Sequence, residues 1–353
     1  MFDSVDYLVL TFSTNYMEET ENFLLLNHIP GLGPVKVNKL LSIHGSAKEI
    51  LKHFTPLDSW KEDLALVKKE KIDLISIHDP RYPKMLKELR DPPFLLYVKG
   101  ALPSEQTVGI VGTRHATLYG QEMAERFGRE VASRGFTVIS GLARGIDTCA
   151  HKGALQTGLT LAVLGSGLAN IYPSENKTLA SQISLISEFP MQTPPDKFNF
   201  PKRNRIVNGL SKGMLLIEAP LKSGAMITME MAVNSKKKCY ALSGRIDSPT
   251  FAGNHFLIKE QKARLVENPQ EMLSLLYSGI DMTSKNGENS LNSNFVFTEN
   301  EKRIMHLLSQ ETSVEELAVR TEFPMAKLNS LLMGLVLKKK VREFPGKQYK
   351  RIF

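Results

Sequence analysis

The chain has 353 residues, 42% hydrophobic and 23% charged, an ordinary globular composition with room for two or three domains of about 100–200 residues each. Its net charge of +8 favours a polyanionic partner without proving one. Cys149 and Cys239 alone exclude a disulfide framework and a four-cysteine zinc site, and fit a reducing compartment.

The start "MFDSVDYLVLTF" carries acids where a secretion signal needs a basic stretch. No apolar run approaches the ~20 residues of a membrane span. A cytoplasmic protein with no membrane partner is therefore expected. Residues 1–75 read as a helical domain, with apolar residues at helical spacing in "ENFLLLNHI", "VNKLLSI" and "AKEILKHF". The stretch "IPGLGPVK" (29–36) sets two glycines two apart. That spacing suits a helix-hairpin-helix or SAM-like turn, whose exposed amides can reach a phosphate oxygen. A tight turn in a small bundle is the plainer alternative, and both stay open.

Residues 76–278 alternate short β-rich runs with helical stretches. "TVGIVG" (107–112), "TVISG" (137–141), "TLAVLG" (160–165), "SLISEF" (184–189), "MLLIEA" (214–219) and "KCYALSG" (238–244) read as strands. Several are near-continuous apolar runs, as strands buried on both faces require. The expected fold class is α/β, a Rossmann-like, doubly wound, mostly parallel sheet, with ligands beyond the carboxyl ends of the strands. Residues 279–296, polar and rich in Ser, Asn and Gly, read as a linker. Residues 297–353 hold three amphipathic helices, with Thr298 and Ser313 as N-caps, and a hairpin turning at Pro345-Gly346. That is the pattern of a winged helix.

The loops after the strands carry the candidate chemistry. "GTRHATLYG" sets Gly112 where backbone can approach a ligand, and Arg114 where a guanidinium can clamp a phosphate. "SGLARGIDTCAHKGAL" repeats the design with Arg144. In "PLKSGAMIT", Lys222, Ser223 and Gly224 open a helix, so ammonium, hydroxyl and amides can meet one anion, although a plain capping role for Ser223 is as strong. The third loop has Asn170 where a dinucleotide fingerprint needs glycine, and GxxxxGK[ST] occurs nowhere. His115 and His151 lack metal-ligand spacing, and Asp147 and Glu188 suit loop-holding hydrogen bonds as well as they suit a general base. No catalytic residue, metal or cofactor is expected.

"FPKRNRIVNGLSKG" (200–213) holds Lys202, Arg203, Arg205 and Lys212 without an acid, beside Phe198 and Phe200. Cations for phosphates next to aromatic faces for bases suit a single-strand groove. A solvated charged face is the alternative. On the groove reading, removing Arg203 or Arg114 should weaken binding and leave the fold intact.

The motifs "DPRYPKMLKELRDPPFLLYVKG", "GIVGTRHAT", "SGLARGIDTCAHKGAL", "VLGSGLANIYPSEN", "FPKRNRIVNGLS", "EAPLKSGAMIT" and the Gly-Asn of "AGNHFLIKEQKARLV" follow in an order and spacing that resembles the DNA-processing protein family, called DprA or Smf. The resemblance runs through about residues 72–270. It implies a domain that binds single-stranded DNA, forms a homodimer, protects incoming DNA and loads the RecA recombinase during natural transformation, without catalysis. It places a basic pocket at Arg114, at Lys202, Arg203 and Arg205 of an "FPKRNR" loop, and at Lys222 with Ser223-Gly224. The chain departs from the family pattern at Thr228-Met229, at Leu242-Ser243-Gly244, and near Lys236, where a glycine is common; the last two touch the backbone around Cys239. Two other readings compete. A phosphoribohydrolase-like enzyme of the lysine-decarboxylase-like Rossmann group would need a PGGxGT loop, and "PGG" is absent. A winged-helix DNA-binding regulator would use Lys327, Asn329 and the run Lys338–Lys340.

Overall fold

The computed structural model describes residues 18–277 and 297–351, residue 339 excepted. The expected linker and the amino-terminal stretch lie outside the described residues. Those up to 277 form one compact unit and those from 297 a second.

The first unit begins with four helices: α1 (18–27), α2 (Pro34–His44), α3 (Ala47–Leu51) and α4 (Ser59–Glu70). Gly45, at φ +82, lets α2 end in a conformation that costs other residues energy, and Ser46 then caps α3 by accepting from Glu49 N. The apolar face of this head does not close on itself. Phe23, Leu24, Leu26, Val37 and Ile50 pack in one continuous cluster with Leu95 and Tyr97 of the sheet and with Phe94 just before them. A buried polar junction fixes the contact. Asp63, 3% exposed, accepts from Tyr97 Oη at 2.7 Å and from Met191 N at 2.6 Å, and lies 3.2 Å from His28 Nε2. The expected boundary at residue 75 falls inside a sheet strand, so head and sheet share one core.

That sheet has nine strands: β1 (Asp73–Ser76), β2 (Leu95–Lys99), β3 (Thr107–Val111), β4 (Thr137–Ser140), β5 (Thr160–Val163), β6 (Ser184–Ser187), β7 (Gly213–Leu216), β8 (Lys238–Ala241) and β9 (Arg264–Leu265), in spatial order β1-β2-β6-β5-β4-β3-β7-β8-β9. From β6 to β9 every pairing is parallel. The first two strands, which the sequence reading did not anticipate, join antiparallel through β2 and β6. Residues of β3, β4, β5 and β7 are buried throughout, the reason their sequences are apolar without alternation.

The connections carry α5 (Lys84–Lys87), α6 (Leu118–Ser133), α7 (Ile146–Leu155), α8 (Lys177–Ala180), α9 (Asn199–Leu210), α10 (Gly224–Asn234), α11 (Ala252–Lys259) and α12 (Pro269–Leu276). The chain winds outward from β3 to β6, then returns to β7 on the other side of β3. Strand order therefore reverses between β3 and β7, where a parallel sheet opens a crevice. α6 and α7 pack backbone against backbone: a Cβ on Gly128 would lie 2.2 Å from Ala150 O, and one on Gly153 would lie 2.0 Å from Glu125 O. Lys236 adopts φ +56 between α10 and β8, a left-handed conformation that strains a side chain.

The second unit contains α13 (Glu299–Leu307), β10 (Thr312–Ser313), α14 (Val314–Thr321), α15 (Met325–Leu337), β11 (Val341–Phe344) and β12 (Gln348–Arg351), with the sheet ordered β10-β12-β11. Thr298 and Glu301 form a reciprocal capping box, Ser313 accepts from Glu316 N, and Gly346 turns the wing at φ +81. Ile304, Leu317, Leu328, Leu332 and Leu335 make its core. This is a winged helix. Lys338, first of the "KKK" run, pairs with Glu301 at 2.6 Å and so serves the domain's own fold.

Candidate nucleic-acid interface

A cavity of about 570 Å³ lies at the reversal point, bounded by the loops after β3, β4 and β7 and by the start of α9. Gly112 and Arg114 come from the first loop, Gly141 from the second, and Lys222, Ser223 and Gly224 from the third, while α9 contributes Phe200, Arg203 and Asn204. The loops hold one another. Thr113 N donates to Glu218 O at 2.7 Å, and Ile146 N to Thr113 O at 3.2 Å. Gly145 stands at φ +73, with room for no Cβ between it and Thr113 O.

The acids around the cavity are already engaged. Asp147 accepts from Gly141 N at 3.1 Å and Ala143 N at 3.3 Å, and burial raises its carboxyl against the pull of Arg203. Glu218, fully buried, accepts from Thr117 N and Thr117 Oγ1 at 3.0 and 2.9 Å, fixing the start of α6. Against them stand Arg114, Lys197, Arg203 and Lys222, all lining the cavity. The guanidinium of Arg114 sits 5.3 Å from the centre of the Phe200 ring, which meets Tyr172 at 5.9 Å. Phe198, 66% exposed, lies under Lys197 at the same end of α9. The cations and the Phe200 ring thus converge on one concavity, with Tyr172 in the small recess beside it.

"FPKRNR" is the first turn and a half of a helix and not a loop. Pro201 is tolerated because it occupies the third helical position, whose N–H has no intrahelical partner. The helical period then separates the cations. Phe200, Arg203, Asn204 and Val207 face the cavity, whereas Lys202 and Arg205, three apart on another face, line a different groove. Arg205 is a partner for acids: its Nε lies 3.0 Å from Asp91 Oδ2, and its Nη2 bonds Glu188. Burial raises the Glu188 carboxyl, with Arg205 opposing.

Arg203 faces the cavity but is 4% exposed, donates to Val163 O at 2.6 Å, and presses on Gly141 so closely that a Cβ there would lie 1.8 Å from Nη1. Burial pushes its guanidinium down to about 10, against the pull of Asp147. The expectation that its loss leaves the fold intact is therefore corrected. Ser223 Oγ accepts from Met226 N at 3.4 Å, the cap of α10. Arg144 lines a small recess beside the cavity and is held by Glu175. The sequence reading overlooked Lys197 and Asn204. Lys197 was visible as the first residue of "KFNFPKRNR", while Asn204 needed the helix to place it.

Comparison with known proteins gives concordant matches. The family profile for DNA recombination-mediator protein A matches residues 73–277. The chain is 36% identical over 302 residues to protein Smf of Escherichia coli, covering 82% of this chain and 80% of that one. It is 39% identical over 212 residues to the DNA processing protein DprA of Streptococcus pneumoniae, covering 58% of this chain and 74% of that one. The X-ray structure of the S. pneumoniae protein superposes with a TM-score of 0.62 at 32% identity, over 72% of this chain and 97% of that one. DNA processing protein A of Helicobacter pylori, solved for insight into its unique single-stranded DNA binding mode, superposes with a TM-score of 0.53 at 28% identity, over 59% and 98%.

Proposed function

The chain belongs to the DNA recombination-mediator protein A family, the DprA or Smf proteins, and from that membership we propose that it binds single-stranded DNA in the cavity between β3 and β7. One observation carries the reading: Arg114, Lys197, Arg203 and Lys222 surround the cavity together with Phe200, and the acids near it are bonded to backbone or hydroxyl groups. Phosphates would meet Arg114 and Lys222, and a base would stack on Phe200 and Tyr172. Glu218 and Asp147 hold loops, which supports a binding role without catalysis. In the cell the chain would protect incoming strands and load RecA, in the cytoplasm.

The test is a salt titration of affinity for oligothymidine. Removing one cation that meets a phosphate lowers the slope of log affinity against log salt by about 0.7 on single strands. Arg114→Ala and Lys222→Ala are exposed changes and should each lower the slope by that amount without moving the melting temperature. Slopes identical to the unaltered chain in both variants would remove the cavity from the interface. Addition of the chain should also raise RecA ATPase on strands coated with single-strand binding protein; an unaffected rate would count against loading.

We propose that a homodimer would form through the groove of about 640 Å³ beside α10 and α11, where Leu221, Ile227 and Phe256 are 49%, 46% and 39% exposed. Apolar exposure of this kind marks an interaction surface. Phe256→Glu should shift the light-scattering mass from dimer to monomer, and an unchanged mass would refute this placement.

A further inference from the structure

Helix α9 turns one face to the cavity, where Phe200, Arg203, Asn204 and Val207 line the wall. Two of these serve the fold. Val207 is 1% exposed, and Arg203 is buried with its guanidinium on Val163 O. What this face leaves for a ligand is one aromatic ring and one carboxamide, four residues apart.

The carboxamide is the group without an assigned role. Asn204 is half-buried and lines the cavity, and its side chain has no hydrogen-bond partner among the described residues. The hydroxyls on the same wall are engaged with backbone. Thr113 Oγ1 accepts from His115 N at 3.2 Å, Ser223 Oγ accepts from Met226 N at 3.4 Å, and Thr228 Oγ1 donates to Gly224 O at 3.2 Å. The free amide offers two donors on Nδ2 and an acceptor on Oδ1. A phosphate only accepts, so it would use Nδ2 and leave Oδ1 facing an anion. The edge of a base uses both, because each of the four bases sets a donor beside an acceptor on its Watson–Crick edge. Residues four apart on a helix have Cβ atoms about 5–6 Å apart, so a base stacked on Phe200 brings its edge alongside the amide.

We infer that Asn204 reads the Watson–Crick edge of the base held on Phe200. Thymine and guanine offer a ring N–H beside a carbonyl, and adenine and cytosine offer a ring nitrogen beside an amino group. Turning the amide over exchanges its donor and acceptor, so one side chain serves all four. Binding then requires a base with a free edge and does not depend on which base it is. The inference rests on the cavity reading, in which Arg114 and Lys222 meet phosphates, and adds to it a contact that carries no charge.

A contact to a base edge, unlike one to a phosphate, leaves the salt slope alone. Affinities are measured across a salt series for oligothymidine and for the same strand methylated at N3 of every thymine, which removes the N–H and keeps the ring. The unaltered chain should bind the methylated strand about two- to tenfold more weakly, the range of one net hydrogen bond. Asn204→Leu, close to asparagine in shape, should bind both strands alike and keep the salt slope of the unaltered chain. Asn204→Ala takes its place should leucine disturb the helix. Equal affinity of the unaltered chain for the two strands would overturn the inference, as would a preference that survives in the variant. The slopes of Arg114→Ala and Lys222→Ala test the cavity separately. If they fall by about 0.7 while methylation changes nothing, the cavity stands and the role of Asn204 is lost.

Discussion

Arg203→Ala is expected to lower the melting temperature and abolish strand binding together. Its guanidinium is buried, bonded to Val163 O, and is the main cation opposing the burial of Asp147. Removing one member of a buried charged pair costs about 3–5 kcal/mol, because the other charge is left uncompensated. At about 2–4 °C per kcal/mol for a unit of this size, the fall should be roughly 6–20 °C. The cavity would also lose its wall between Gly141 and Phe200. Arg114→Ala, which removes an exposed side chain, gives the contrast of weakened binding at constant melting temperature. A melting temperature for Arg203→Ala within about 2 °C of the unaltered chain would refute this account and return Arg203 to the role of a simple phosphate ligand.

Acid should destabilise the first unit through His151. This side chain is fully buried, and its Nδ1 lies 2.6 Å from Thr160 Oγ1. The Thr160 hydroxyl gives its single proton to Val138 O at 2.9 Å, so Nδ1 carries the imidazole proton and donates. Nε2 is left buried without a partner, and it is the atom that would take up a second proton. Burial, and then the charge of Arg203, lower the pKa from 6.5 to about 3. A folded pKa below the unfolded one means stability that is full above 6.5 and lost as pH falls from there toward 3. At 1.36 kcal/mol per unit, the loss between pH 7 and pH 5 is about 2 kcal/mol. His151→Gln keeps a hydrogen-bonding side chain and cannot titrate. Its melting temperature should fall less between those two pH values; parallel pH curves for the two proteins would show that His151 does not carry the acid sensitivity.

The central parallel strands were legible because burial on both faces leaves them nearly continuous apolar runs with no charged residue, as in "TVGIV" and "MLL". The loops after β3, β4 and β7 were legible from glycine next to arginine or lysine at strand ends. Strand β2 was not, since "LLYVK" sits between turn-forming prolines and pairs with β6, 85 or more residues away along the chain. The joint core of head and sheet was hidden for a related reason: composition marks which residues are apolar and not which partner covers them. The cations of 202–205 failed differently. Proline and dense charge read as a loop, and a loop would let all three reach one pocket. A helix cannot, and the acids that claim Arg205, Asp91 and Glu188, lie far away in sequence.

The glycine contacts between α6 and α7 bear on how loss-of-function variants of this protein would be sorted. Both helices begin at the rim of the cavity, and their separation is set where Gly128 and Gly153 meet backbone oxygens of the neighbouring helix. Even alanine there would force the helices apart and carry the Arg114 and Gly141 loops with them. A genetic screen for defective strand binding would therefore recover these two positions beside the basic ones, although neither lines the cavity. Surface charge would be unchanged in such variants, so the residual binding would keep its salt response while its strength fell. That combination separates a misplaced scaffold from an absent phosphate ligand.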